Sequence, residues 1–169
     1  MESGSFFDRA RAKQGCAVVV AGSDSDRGHI EKILESLTAY RIPYEVRICS
    51  AHKAPGALLE LIREYEQAEG AIAFVSVAGG TDALSGSLSF LALSPVISCP
   101  PDAPNDSCLR NPPGSSNATI NDPRNVGRFI AQMYAPFNPE SREALRRSRD
   151  DKVEKLAAKD RELRSRFGA

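Results

Sequence analysis

Apolar positions along the chain fall into two alternating patterns. Short runs, "CAVVVA" (16–21), "YEVRIC" (44–49), "AIAFVSVA" (71–78), "PVISC" (95–99) and the weaker "NATI" (117–120), read as strands bounded by Gly, Pro, Ser or Asp. Between them the period changes to that of a helix. Ile30, Ile33, Leu34 and Leu37 repeat at i, i+3, i+4 and i+7, as do Leu58, Leu61, Ile62 and Tyr65, and Val126, Phe129, Ile130 and Met133. Pro55 fits the first position of the second of these helices, and "TDALSGSLSFLAL" (81–93) predicts a shorter one. Strands alternating with helices predict an α/β fold, an open doubly wound parallel sheet whose crossovers share one hand.

In such a sheet ligands bind outside the carboxyl ends of the strands. Four segments follow strands and should gather along that edge: "GSDSD" (22–26), "CSAHKAP" (49–55), "AGGTDALSG" (78–86) and residues 98–116. Ser23 and Ser25 supply hydroxyls, the helix that follows supplies free backbone amides, and Lys53 supplies positive charge, which together suit a phosphate. Asp24 and Asp26 would repel a bare phosphate, but a carboxylate there can accept hydrogen bonds from ribose hydroxyls. The loop therefore points to a sugar phosphate, although the same Ser and Asp residues also suit ordinary helix caps. Neither GxxxxGK[ST] nor GxGxxG occurs in the first strand–helix turn, which argues against ATP and NAD.

Composition narrows the setting. The chain has 169 residues, about one domain's worth, with 22 basic and 22 acidic residues and no net charge, so neither nucleic acid nor an anionic membrane is an expected partner. Any phosphate site must be local. Cys16, Cys49, Cys99 and Cys108 form no CxxC pair, which predicts buried reduced thiols, no metal site and a cytoplasmic location. No signal peptide or membrane span is legible. Residues 1–14 read as a flexible segment, 15–136 as the ligand-binding domain and 137–169 as a charged helix. That helix carries only a thin stripe of Leu145, Val153, Leu156, Leu163 and Phe167, which suits docking on a neighbouring subunit or a solvated tail.

The segments "GSDSD", "GHIEKI", "IPYEVRICSAHKAP", "VAGGTDALSG", "PVISCPP" and "LRNPPG", in this order and spacing between Ala17 and Tyr134, resemble the phosphoribosylaminoimidazole carboxylases of purine biosynthesis. Within that family "SAHK", "GHIEK" and "SCPP" are similar to the branch that uses carbon dioxide directly; the other branch is a mutase of the N-carboxylated ribonucleotide. The resemblance implies a flavodoxin-like three-layer sandwich with a five-stranded parallel sheet and an extra C-terminal helix. It also implies a homo-octamer of D4 symmetry. The implied reaction is carboxylation of 5-aminoimidazole ribonucleotide by CO2 to its 4-carboxy product, without metal or cofactor.

An aminoimidazole is an enamine, so its ring carbon can attack CO2 without a protein nucleophile, and one base suffices to remove the proton from that carbon. Histidine suits this task, and His52 lies where the family keeps its catalytic histidine. His29, the other histidine, falls in the first turn of a helix and reads as a cap or a solvent-facing residue. The resemblance further implies that Gly22, Ser23 and Ser25 surround the phosphate, Asp26 meets the ribose, and Lys53 meets the phosphate or the incoming carboxylate. Ser50 and Ala51 belong to the histidine loop. Ala78, Gly79 and Gly80 would bring backbone close to the base, 98–101, including Ser98 and Pro100, would close the other side, and Arg110 would add charge. The chain departs from the family pattern at 80–82: the CO2-using branch reads Ala-Gly-Arg-Ser-Asn where this chain has Ala78, Gly79, Gly80, Thr81 and Asp82. A guanidinium is absent and an amide has become a carboxylate, so a noncatalytic ribonucleotide-binding paralogue is the reading from another functional class.

Overall fold

The computed structural model describes residues 5–102 and 104–167. Five strands, β1 (Cys16–Ala21), β2 (Tyr44–Ile48), β3 (Ile72–Val77), β4 (Val96–Ser98) and β5 (Ala118–Thr119), form one all-parallel sheet in the order β2-β1-β3-β4-β5. The helices are α1 (Phe6–Arg11), α2 (Arg27–Ala39), α3 (Pro55–Glu66), α4 (Ala83–Leu91), α5 (Val126–Tyr134) and α6 (Pro139–Phe167). Every strand expected from the apolar runs is present.

The sheet separates two cores. On one face Val19, Val75 and Ile97 pack with Ile30, Ile33 and Leu37 of α2 and with Val126 and Ile130 of α5, and Leu145 of α6 closes the edge. On the other, Val18, Val20 and Phe74 meet Leu58, Leu61, Ile62 and Tyr65 of α3 and Leu84 and Leu88 of α4. Helices on both faces explain why β1 and β3 are buried at every position and read as unbroken apolar runs. The edge strand β2 instead alternates, with Tyr44, Val46 and Ile48 exposed. Its polar residues face α3, where the Tyr65 hydroxyl donates to Glu45 (2.5 Å) and Arg47 donates to Glu64 (2.9 Å).

α2 and α5 come into close contact at Gly127. The Ser36 hydroxyl donates to the Arg124 carbonyl (2.8 Å) and accepts the Gly127 N–H (3.0 Å), and a Cβ at Gly127 would fall on the Ser36 carbonyl. Only glycine allows this approach.

Part of the 1–14 segment, read from the sequence as flexible, carries a helix in the structure. Residues Phe6–Arg11 form α1, opened by a capping box between Ser5 and Asp8. Phe6 and Phe7 pack against Tyr65 with ring centroids 5.7 and 5.8 Å away, Ala10 is fully buried, and the Ala71 N–H donates to the Ala10 carbonyl (2.8 Å). Burial of two phenylalanines offsets the ordering entropy that would otherwise leave so short a helix frayed. Residues 1–4 lie outside the described residues.

α6 is a single helix of 29 residues. Leu145 packs on the core, whereas Val153, Leu156, Leu163 and Phe167 are exposed within this chain. No helix among the described residues is long and apolar enough to cross a membrane.

Candidate active site

The strand order places β1 beside β3, with the chain departing toward β2 on one side and β4 on the other. The carboxyl ends of β1 and β3 therefore form a topological switch point, where loops leaving in opposite directions open a crevice. The Gly22 N–H donates to the Val77 carbonyl (2.9 Å) and the Cys49 N–H to the Ala21 carbonyl (2.8 Å), so the first residues after β1 and β2 still continue the sheet.

Beyond Gly22 the chain turns into a one-turn 3-10 helix, Asp24–Asp26, capped by Ser23, whose hydroxyl accepts the Ser25 N–H (3.2 Å) and the Ser25 O–H (3.0 Å). Asp26 stands at the cap position of α2 without a side-chain cap hydrogen bond. After β2 a tight turn is held by Ala54 N–H to the Ser50 carbonyl (2.9 Å) and Lys53 N–H to the Ser50 hydroxyl (3.3 Å), which leaves the side chains of His52 and Lys53 exposed.

These loops enclose a cleft of about 310 Å³, at the small end of the range for ligand pockets. Gly22, Ser23, Ser25 and Asp26 line one wall, Ser50, Ala51 and His52 a second, and Ala78 and Gly79 a third. Nine of the residues singled out in the sequence thus surround one cavity. Thr81, Ala83 and Leu84 also line it; they belong to the 78–86 segment expected at this edge but were not singled out individually. Their position follows from α4 starting at Ala83, one residue after a cap formed by Asp82. A threonine-aspartate pair before an apolar helix was the available signal.

Five expected residues are not part of this lining. Lys53 is next to His52 in the chain, with its side chain exposed. Ser98 is fully buried and its hydroxyl donates to Asp82 (3.3 Å), so it supports the α4 cap from behind; Pro100 is buried as well. Arg110 is exposed and pairs with Asp106 at 3.6 Å. Gly80 adopts φ +61° and is held outward by the segment that follows β4: Asp102 accepts its N–H (2.7 Å) and Asn105 donates to its carbonyl (3.0 Å).

Asp82 is almost fully buried. It accepts the Ser85 N–H (2.9 Å), and its own N–H donates to the Ser107 hydroxyl (3.0 Å). A carboxylate at a helix N-terminus is favoured by the free amides and the helix dipole. Asp102, which accepts from Asn105 and Gly80, is held below the usual carboxylate range by those two bonds.

His29 corrects the expectation of a cap or solvent-facing residue. Its Nε2 lies 3.1 Å from the Cys99 carbonyl and 3.3 Å from the Cys99 thiol, so the ring ties α2 to the end of β4. Burial lowers its pKa below 6.5, partly opposed by the bond to the Cys99 carbonyl. A lowered pKa means that the unfolded chain takes up the proton first. The contribution of His29 is therefore complete above pH 6.5 and declines as the pH falls below it. Against a His29→Gln variant, the melting-temperature advantage of the native protein should stay constant above pH 6.5 and shrink below it. An advantage that grows on acidification would refute this account. Cys99 itself is pushed up to about 12 by burial, which makes it a packing residue and a poor nucleophile.

Among the described residues no group of three or more His, Cys, Asp or Glu side chains is arranged to hold a metal ion. A larger cavity, about 500 Å³ between α2 and α6, contains none of the residues singled out in the sequence.

The chain is 30% identical over 155 residues to the phosphoribosylaminoimidazole carboxylase of Treponema denticola, covering 87% of this chain and 96% of that protein. It is 42% identical over 127 residues to the bifunctional phosphoribosylaminoimidazole carboxylase/phosphoribosylaminoimidazole succinocarboxamide synthetase of Mus musculus, covering 72% of this chain and 30% of that one. The N5-carboxyaminoimidazole ribonucleotide mutase of Methanocaldococcus jannaschii is 29% identical over 157 residues, 88% of this chain and 98% of the mutase. The crystal structure of Treponema denticola PurE superposes with a TM-score of 0.81 at 28% identity, over 92% of this chain and 99% of that one. Residues 16–155, which include every loop around the cleft, match the family model described as AIR carboxylase, and the chain belongs to that family.

Proposed function

We propose that this protein carboxylates 5-aminoimidazole ribonucleotide with CO2 to give 4-carboxy-5-aminoimidazole ribonucleotide in purine biosynthesis. The observation that carries the reading is the meeting of the serine, histidine and glycine loops at the β1/β3 switch point, in a chain of the AIR carboxylase family. The ribonucleotide phosphate sits on Ser23 and Ser25 at the start of the 3-10 helix, Asp26 accepts from the ribose, and the base lies between the 50–52 and 78–80 loops. Lys53 reaches from beside His52 to the phosphate or the incoming carboxylate.

The amino nitrogen pushes electron density through the ring, and C4 attacks the carbon of CO2. A C–C bond forms while one C=O pair moves onto oxygen. The resulting cation carries both hydrogen and carboxylate on C4. His52 takes that proton, the C–H electrons restore the aromatic ring, and the same imidazole returns the proton in the reverse direction. No covalent enzyme intermediate is required.

The test is to supply the purified protein with aminoimidazole ribonucleotide and bicarbonate, then with the N-carboxylated isomer, and to follow product absorbance. Product from the first pair supports carboxylation. Product only from the isomer would establish the mutase reading, which the 29% identity to the Methanocaldococcus jannaschii mutase favours. No product from either, with the ribonucleotide bound, would leave a noncatalytic binding protein.

The phosphate assignment predicts that the dephosphorylated nucleoside binds on the order of a hundredfold more weakly, the loss expected for two charge-assisted bonds at about 1.5 kcal/mol each. Equal affinities in calorimetry would remove Ser23, Ser25 and Lys53 from the phosphate site.

The same reading makes the protein a cytoplasmic homo-octamer of D4 symmetry. Its support is apolar surface left exposed among the described residues: Tyr44, Val46 and Ile48 on β2, and Val153, Leu156, Leu163 and Phe167 on α6. The four cysteines are free and buried, as a reducing compartment allows. Light scattering should give about eight times the 18.3 kDa subunit mass, and removal of residues 140–169 should weaken assembly and activity together. A monomer at micromolar concentration that still turns over would exclude the octamer as the active form.

A further inference from the structure

The loop after β3 departs most from the family pattern at Gly80, and here the chain has built a clamp. Asp102 Oδ2 accepts the Gly80 N–H (2.7 Å), Asn105 donates to the Gly80 carbonyl (3.0 Å), and Asn105 also donates to Asp102 Oδ1 (2.9 Å). Ser107 carries the connection onward by accepting the Asp82 N–H (3.0 Å) and by donating its own N–H to the Asn105 side chain (2.9 Å). Asp102 also lies under Gly79, where an added Cβ would meet its carboxylate at 3.1 Å. Both polar backbone groups of Gly80 are thus engaged by Asp102 and Asn105, while Gly79 remains in the wall of the cleft.

Peptide planarity then fixes the preceding carbonyl. In a trans peptide the C=O of one residue points opposite to the N–H of the next. With the Gly80 N–H drawn onto Asp102, the Gly79 carbonyl faces away from that carboxylate. A glycine pair is otherwise free to flip its shared peptide, and a flip would exchange an acceptor for a donor in front of the ligand.

We propose that Asp102 and Asn105 are positioning residues that lock the Gly79–Gly80 peptide, so that the Gly79 carbonyl is a fixed acceptor for the amino group of the bound aminoimidazole. This rests on the proposed function and deepens it. The consequence concerns reactivity as well as affinity: an acceptor on the amino N–H increases the electron density that nitrogen gives the ring. The carboxylate makes the clamp stronger than a neutral one, because hydrogen bonds to an ionised acceptor are shorter and stronger.

The experiment compares calorimetric affinities for 5-aminoimidazole ribonucleotide and for imidazole ribonucleotide, which lacks the amino group, in the native protein and in Asp102→Ala, Asp102→Asn and Asn105→Ala. Native protein should prefer the amino compound by about tenfold, the scale of one well-placed hydrogen bond. Asp102→Ala should bring the ratio close to one, and Asp102→Asn, which keeps an acceptor oxygen, should restore most of it. Asn105→Ala should fall between. Asp102 is exposed, so its two variants should melt near the native temperature; if half-buried Asn105→Ala does not fold, the comparison rests on Asp102→Ala against Asp102→Asn. A native preference that persists unchanged in Asp102→Ala overturns the positioning role and leaves the proposed function intact. Failure of the native protein to bind either ribonucleotide overturns the proposed function and this inference with it.

Discussion

His52→Asn is expected to lower turnover by about 10²- to 10⁴-fold, the range that one general acid–base group contributes, while ribonucleotide affinity stays within about tenfold. The split between the two effects is the informative part. His52 lies in an exposed turn held by N–H bonds to the Ser50 carbonyl and hydroxyl, so replacing its ring leaves the rest of the cleft wall in place. Asparagine keeps polarity and approximate size but cannot take a proton from carbon. A base that acts only after C4 has bonded to CO2 contributes to the transition state and little to binding of the ground state. Stopped-flow or steady-state absorbance measures turnover, and calorimetry with the ribonucleotide measures binding. Near-native turnover would remove His52 from the mechanism; lost binding with normal turnover at saturation would make it a binding residue instead.

The second large effect is on stability. Gly127→Ala should destabilise the protein by about 3 kcal/mol, at the upper end of the usual cost of overpacking, and lower the melting temperature by roughly 6–12 °C. The new methyl would meet the backbone of α2 at the Ser36 carbonyl and would lie 2.7 Å from the Leu37 nitrogen; backbone cannot rotate aside as a side chain can. Relief requires α5 to move away from α2, which breaks the buried bond from the Gly127 N–H to the Ser36 hydroxyl. Gly56→Ala supplies the contrast, because that position in the first turn of α3 has nothing within 4 Å of an added Cβ. It should be neutral or stabilising by a few tenths of a kcal/mol, since alanine restricts the unfolded chain and favours the helix. Equal melting temperatures for the two variants would show that α2 and α5 are not held at the distance described.

The five strands and the three long amphipathic stripes were legible in the chain because periodicity is a local signal. A strand buried on both faces must be apolar throughout, and a helix lying on a sheet must repeat its apolar residues every three to four positions, whatever the rest of the molecule does. The meeting of the 22–26, 50–52 and 78–79 segments followed from the same information, because parallel strands with crossovers of one hand leave their carboxyl ends on one edge. Contacts between distant segments were a different matter. His29 finds Cys99 across 70 positions, and Gly80 finds Asp102 across 22, with no pattern at either end to announce the partner. Residues 6–11 are too short a run for their period to stand out, and α1 forms because Phe6 and Phe7 find Tyr65 and because the Ala10 carbonyl accepts the Ala71 N–H. The family resemblance implied Ser98 as part of a wall of the site, yet in the structure Ser98 is buried at the end of β4 with its hydroxyl on Asp82. Local sequence encodes which face of an element is apolar; which distant polar group satisfies a buried donor or acceptor is decided only when the chain closes on itself and each such group must find a partner or bear the cost of losing water.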